Sequence, residues 1–136
     1  MFSRSLRKAL PLLAVGLALA GPAAAAGQQT MLVIPRLGLD LPVRASLAEG
    51  PQIYYRDADT IAIAGHRTTH THPFLRLDEL RRGDTIRLGR NRYVVRRHAV
   101  VRPTALWVLR YSGLVLTACH PPGSAAYRYV VFAAPL

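Results

Sequence analysis

From residue 31 to the C-terminus the apolar positions gather into short runs divided by turn-forming residues, and within the runs apolar and polar side chains tend to alternate. The runs are MLVIP (31–35), LDLPV (39–43), TIAIA (60–64), TIRL (85–88), RYVVRRHAVV (92–101), ALWVL (105–109), GLVLTAC (113–119) and YRYVVFA (127–133). Their shortness, their β-branched and aromatic content and their period of two predict strands. Eight strands at this spacing predict an all-β domain, an eight-stranded β-barrel whose closure leaves no sheet edge exposed. Gly89, Arg90 and Asn91 supply a tight hairpin between the fourth and fifth runs. One or two short helices complete the fold. In HPFLRLDELRRGD (72–84), Phe74, Leu75, Leu77 and Leu80 approximate a helical stripe of one or two turns, which Gly83 ends.

Ahead of the first run the pattern changes. Residues 1–8 carry Arg4, Arg7 and Lys8, residues 9–20 are almost wholly apolar, and Ala23 to Ala26 offer the small side chains of a signal-peptidase site. Residues 1–26 therefore read as a signal peptide. The stretch ALPLLAVGLALAGPAAAA also approaches the roughly 18–20 residues of a spanning helix, so an uncleaved N-terminal membrane anchor stays open beside it. Either way, the domain formed by residues 27–136 works outside the cytoplasm, secreted or tethered at the cell envelope.

The formal charge of +11 changes the picture less than its size suggests. Seventeen arginines and one lysine are scattered through strand-like segments and form no basic run interleaved with aromatics. This excludes a dedicated nucleic-acid partner and leaves a general attraction to anionic material of the envelope.

The candidate chemistry begins with Cys119, the only cysteine. It excludes an internal disulfide and a Cys-rich metal site, leaving core filler, an intermolecular partner or a nucleophile. Cys119 ends an apolar run that breaks at once into HPPGS, and an unpaired thiol in an oxidising compartment favours a use for it. His66 ends another alternating run behind Gly65, so two strand ends can bring a base and a thiol together. If the seventh and eighth runs pair symmetrically across the loop from His120 to Tyr127, Cys119 lies directly opposite Arg128 on one face. Val115 and Thr117 then share the cysteine's face, and Val130 and Phe132 the arginine's. A slip of one residue would separate the thiol from the guanidinium. Arginine keeps its charge at all accessible pH and can donate hydrogen bonds to an oxyanion, and His66 can serve as acid and base.

With these residues in place, the chain resembles the sortases, cysteine transpeptidases that attach proteins to bacterial cell walls. The resemblance lies in VIPRLGLDLPV, AIAGHRTTHTHPFLRLDELRRGD, LVLTACHPPG and YRYVVFA, in that order, and spans nearly the whole of residues 27–136. GHRTT and LDEL look most like the class E sortases. The resemblance implies a sortase-type β-barrel with a catalytic triad of His66, Cys119 and Arg128. It implies cleavage of an LPxTG- or LAxTG-like sorting signal between Thr and Gly, a thioester acyl-enzyme, and transfer to an amine of a wall precursor or pilin. Thr117 and His120, which flank the cysteine, are the expected substrate contacts. Partners are then proteins bearing a C-terminal sorting signal, the amine acceptor and, for a tethered chain, the membrane; no cofactor and no metal are expected. Two features depart from the family pattern: EGPQIYYRDADT stands where members carry a longer Gly- and Pro-rich stretch, and the leader looks more cleavable than a sortase anchor.

Two other readings compete. A secreted cysteine peptidase would use water where a transpeptidase uses an amine, and a non-catalytic basic β-barrel would bind anionic polymer and tolerate loss of Cys119. His66, His70 and His72 lie within seven residues, but no carboxylate accompanies them, so they read as loop residues and not as a metal site. His98 reads as an exposed or half-buried strand residue.

Overall fold

The structure, a computed structural model, describes residues 28–136. The proposed leader, residues 1–26, lies outside the described residues. Eight strands form one sheet: β1 (Met31–Ile34), β2 (Leu39–Pro42), β3 (Gln52–Arg56), β4 (Thr60–Ala64), β5 (Thr85–Leu88), β6 (Asn91–Val101), β7 (Gly113–His120) and β8 (Tyr127–Pro135). The order across the sheet is β2-β1-β5-β6-β8-β7-β4-β3. All neighbours are antiparallel except β4 and β7, which run parallel. The sheet curls into a half-barrel with β2 and β3 as its edges, and the loop that joins them is closed by the Arg44 N–H donating to the Pro51 carbonyl at 2.8 Å.

The two faces of the curl carry separate apolar clusters. Leu32, Ile34, Ile63, Ile86, Tyr93, Val95, Leu114, Leu116, Val131 and Ala133 fill the inner face, closed at one end by Phe74, Leu77 and Leu80. On the outer face Ala62, Val115, Val130 and Phe132 pack beneath Val108. β7 and β8 are thus covered on both sides, which is why GLVLTAC reads as a nearly continuous apolar run. Each fully buried Leu, Val or Phe adds about 1.5–3 kcal/mol from burial, so the central strands anchor the molecule.

The count of eight strands holds, but one member differs. ALWVL does not form a strand: Leu106–Arg110 is a 3₁₀ helix, entered through a turn in which the Ala105 N–H reaches the Arg102 carbonyl at 3.0 Å. Pro103 cannot supply a ladder N–H, and the helix lays Val108 onto the outer cluster as a lid. The eighth strand is β3, QIYYR. As an edge strand with one neighbour it buries little, so its polar content does not disqualify it. The segment 72–84 folds as turns with a 3₁₀ helix at Leu77–Glu79. The hairpin between β5 and β6 pairs Leu88 with Asn91 across Gly89 and Arg90, and Gly89 takes φ 58° there.

Candidate active site

Cys119 and Arg128 face each other across the β7–β8 ladder, in the register read from the loop length. Behind them Thr117 pairs with Val130 and Val115 with Phe132. Val115, Val130 and Phe132 belong to the outer cluster, so Cys119 and Arg128 end the outer face and not the inner one. Both side chains are half-buried. Arg128 Nη1 donates to the Ala125 and Tyr127 carbonyls, each at 3.0 Å. These bonds fix the guanidinium while its other nitrogens make no hydrogen bond among the described residues.

His66 arrives from β4. That strand runs parallel to β7 with Ala64 beside Thr117, and the Gly65 N–H extends the ladder by donating to the Thr117 carbonyl at 3.1 Å. Carried on, the same register brings His66 alongside Cys119. Gly65 is required here because a Cβ at this position would stand 2.5 Å from the Phe74 ring. The His66 carbonyl accepts from the Phe74 N–H at 3.0 Å, so the loop is pinned on both sides of the histidine. Thr69 Oγ1 lies 3.0 Å from His66 Nδ1, which orients the ring and leaves Nε2 for chemistry. Partial burial lowers the imidazole pKa below its ordinary value, and the His70 ring, 4.6 Å away between centroids, lowers it further. Both effects favour the neutral base.

A cavity of about 230 Å³ opens on the Arg128 side of the pair. Tyr54, Ala64, Thr117, Arg128 and Val130 line it on the sheet side, and residues of the segment from Val101 to Leu109, Leu106 and Val108 among them, line the other. Tyr54 Oη and Thr117 Oγ1 are 3.1 Å apart at its base. Thr117 therefore lies where a groove contact is expected. His120 points elsewhere: its ring tilts against Tyr129 at 5.6 Å, and its Nδ1 accepts from Arg67 Nη1 at 3.0 Å.

Arg67 is the residue that sequence reasoning missed. It is only 2% exposed, yet Nη1 also donates to the Cys119 carbonyl at 3.3 Å, and Nη2 reaches the Leu75 carbonyl at 3.4 Å and Asp78 Oδ1 at 3.1 Å. One buried guanidinium thus ties the histidine loop, the cysteine strand and the turn at Asp78 together; its Nε has no partner. His70 and His72 are exposed loop residues in left-handed backbone, at φ 53° and 37°. His98 is exposed and stacks on Tyr129 at 5.4 Å. No group of three metal-ligating side chains gathers among the described residues.

The curled eight-stranded sheet thus carries a lone thiol, a guanidinium and an imidazole at adjoining strand ends. The Sortase domain matches residues 32–136, most of the chain, and the protein belongs to the sortase family. Its fold is similar to that of sortase E1 from Streptomyces coelicolor, solved with a tripeptide in the active site, at 24% identity over 79% of this chain and 87% of that one, TM-score 0.66. It is similar also to sortase C-1 from Actinomyces oris, at 24% identity over 79% and 71% of the two chains, TM-score 0.71. A lid mutant of sortase A from Corynebacterium diphtheriae superposes at TM-score 0.72, with 20% identity over 85% and 75%. No curated relative matches the sequence. Sortases are cell-envelope transpeptidases; no helix among the described residues is long and apolar enough to cross a membrane.

Proposed function

We propose that this chain is a cysteine transpeptidase in which Cys119 is the nucleophile, His66 the acid and base, and Arg128 the oxyanion donor. The observation that carries the reading is the pairing of Cys119 with Arg128 on the outer face, beside an open cavity. As the Cys119 sulfur attacks the Thr carbonyl of an LPxTG- or LAxTG-like signal, its thiol proton passes to His66, and Arg128 N–H groups stabilise the oxyanion. The Thr–Gly bond breaks as His66 gives a proton to the leaving amine, and a thioester remains on Cys119. An incoming amine, from a wall precursor or a pilin, gives its proton to His66 as it attacks the thioester, and His66 returns that proton to the departing Cys119 sulfur. The lowered His66 pKa supports a resting state of neutral imidazole. Thr117 contacts the bound signal; His120, engaged with Arg67, holds the strand end behind it. GHRTT and LDEL favour a class E signal preference.

The test mixes the protein with quenched LAxTG and LPxTG peptides, with and without an amine. Cys119-dependent cleavage that shifts to ligated product on adding amine supports the proposal. Cleavage to free acid in the presence of amine means a cysteine peptidase. Activity retained by Cys119→Ala overturns the reading.

A further inference from the structure

All seven acidic side chains lie between Asp40 and Asp84, whereas residues 85–136 hold eight arginines and no Asp or Glu. That stretch folds as the neighbouring strands β5, β6, β8 and β7, with the 3₁₀ helix Leu106–Arg110 laid over their outer face. Within it, Arg87 sits directly opposite Arg92, both exposed. Like charges so placed destabilise a sheet, and no carboxylate pairs with either among the described residues. Farther along β6 on the same face, Arg97 lies over the rings of Phe132 at 4.5 Å and Trp107 at 5.9 Å. Trp107 is 46% exposed and Leu106 72%, between the exposed Arg102 and Arg110.

We propose that this face, from the Arg87–Arg92 pair to Leu106 and Trp107, docks on an anionic lipid bilayer. The arginines meet headgroup phosphates, which relieves the repulsion between Arg87 and Arg92. The indole and the leucine enter the interfacial layer, where an aromatic ring beside cationic side chains is at home. A soluble polyanion would satisfy the arginines and gain nothing from Leu106 and Trp107, so the apolar pair selects the bilayer. Leu106 also borders the cavity that Thr117 and Arg128 line, so docking sets the cavity rim at the membrane surface. The inference does not rest on the transpeptidase reading.

Trp107 is the only tryptophan in the chain and reports on this face alone, whatever the leader does. The full chain is reconstituted on phosphatidylcholine vesicles with and without phosphatidylglycerol, and Trp107 emission and its quenching by brominated lipid are recorded. Docking predicts a blue shift and quenching that require phosphatidylglycerol and fade with salt. The double variant Arg87→Gln/Arg92→Gln should weaken docking about thirty-fold, the effect of two surface arginines at an anionic membrane, with hydrolysis of a short soluble peptide unchanged. Trp107 that stays unquenched on anionic vesicles overturns the proposal, as does equal docking of the double variant or equal quenching on pure phosphatidylcholine. An equal blue shift with soluble polyphosphate assigns the face to a polymer and also overturns it.

Discussion

At the scale of single residues, the site is governed by what surrounds His66 and Arg67. Burial is the larger cause of the lowered His66 pKa and His70 the smaller, so His70→Ala should return only the lesser part of the shift. An NMR titration of the ring protons checks this, with wild-type His66 titrating below the ordinary value of about 6.5. The sign for stability follows. A histidine whose folded pKa is depressed resists protonation in the native state. Its contribution is full above the unfolded value and is lost as pH falls through the folded one. Arg67 makes a second prediction. Arg67→Ala removes the donor to the Cys119 carbonyl and His120 Nδ1 and should cost about 3 kcal/mol in denaturant unfolding. Asp78→Asn should cost about 1 kcal/mol, because water can take the place of a carboxylate that is itself half exposed. Equal losses would show that the ion pair, and not the bonds to the cysteine strand, is what Arg67 supplies. Nothing in the local sequence announces this residue. Its partners at Cys119 and His120 are 52 and 53 positions away and meet it only through the parallel pairing of β4 with β7.

Secondary-structure elements divide into those whose pattern shows and those whose neighbours decide. The β7–β8 register was legible because the intervening loop is short enough to fix the symmetric partner, which brings Cys119 to Arg128. Phe74, Leu77 and Leu80 recur at intervals of three, the period of a 3₁₀ helix, and all three are buried while Leu75 is 40% exposed. The spacing therefore contained the 3₁₀ geometry. β3 was not legible, since an edge strand needs no apolar face of its own, and Leu106–Arg110 looked like a strand because a lid is as apolar as what it covers. Two substitutions test how these elements hold the site. Gly65→Ala pushes a methyl into the Phe74 ring and should cost about 1–3 kcal/mol, with a larger loss of kcat than of KM as the histidine loop shifts. Asp57 closes the β3–β4 turn, its carboxylate accepting from Tyr55 Oη at 2.6 Å and from the Asp59 and Thr60 N–H groups at 2.8 and 2.7 Å. The Tyr55 bond and then the two amides lower its pKa, so the turn's contribution is intact above the usual carboxylate range and lost as pH falls below it. Asp57→Asn should flatten that acid limb.

For the whole molecule, the sheet order places the chemistry in the interior of the sheet. β7 and β8 are central, with a cluster on either side, whereas β2 and β3 are edges. Native-state hydrogen exchange should find the amides of β7 and β8 the slowest, opening only with global unfolding, and those of β2 and β3 the fastest among the strands. Early exchange in β7 would mean that the cysteine strand belongs to a separate, weaker unit.

The double coverage of β7 has a further consequence. A strand with one wet side is policed by water, since a slip of one residue strands its oily side chains in solvent. The stretch of β7 from Leu114 to Ala118 has no wet side, so solvent exacts no such penalty on a displaced copy. Alignment falls instead to the short connection from Pro121 to Ala126, braced by the Ser124 N–H on the Pro121 carbonyl and the Ala126 N–H on Ser124 Oγ. One residue added or removed there would leave a soluble protein with an ordinary melting curve and a thiol turned away from its arginine. In this scaffold, loss of function need leave no trace in stability.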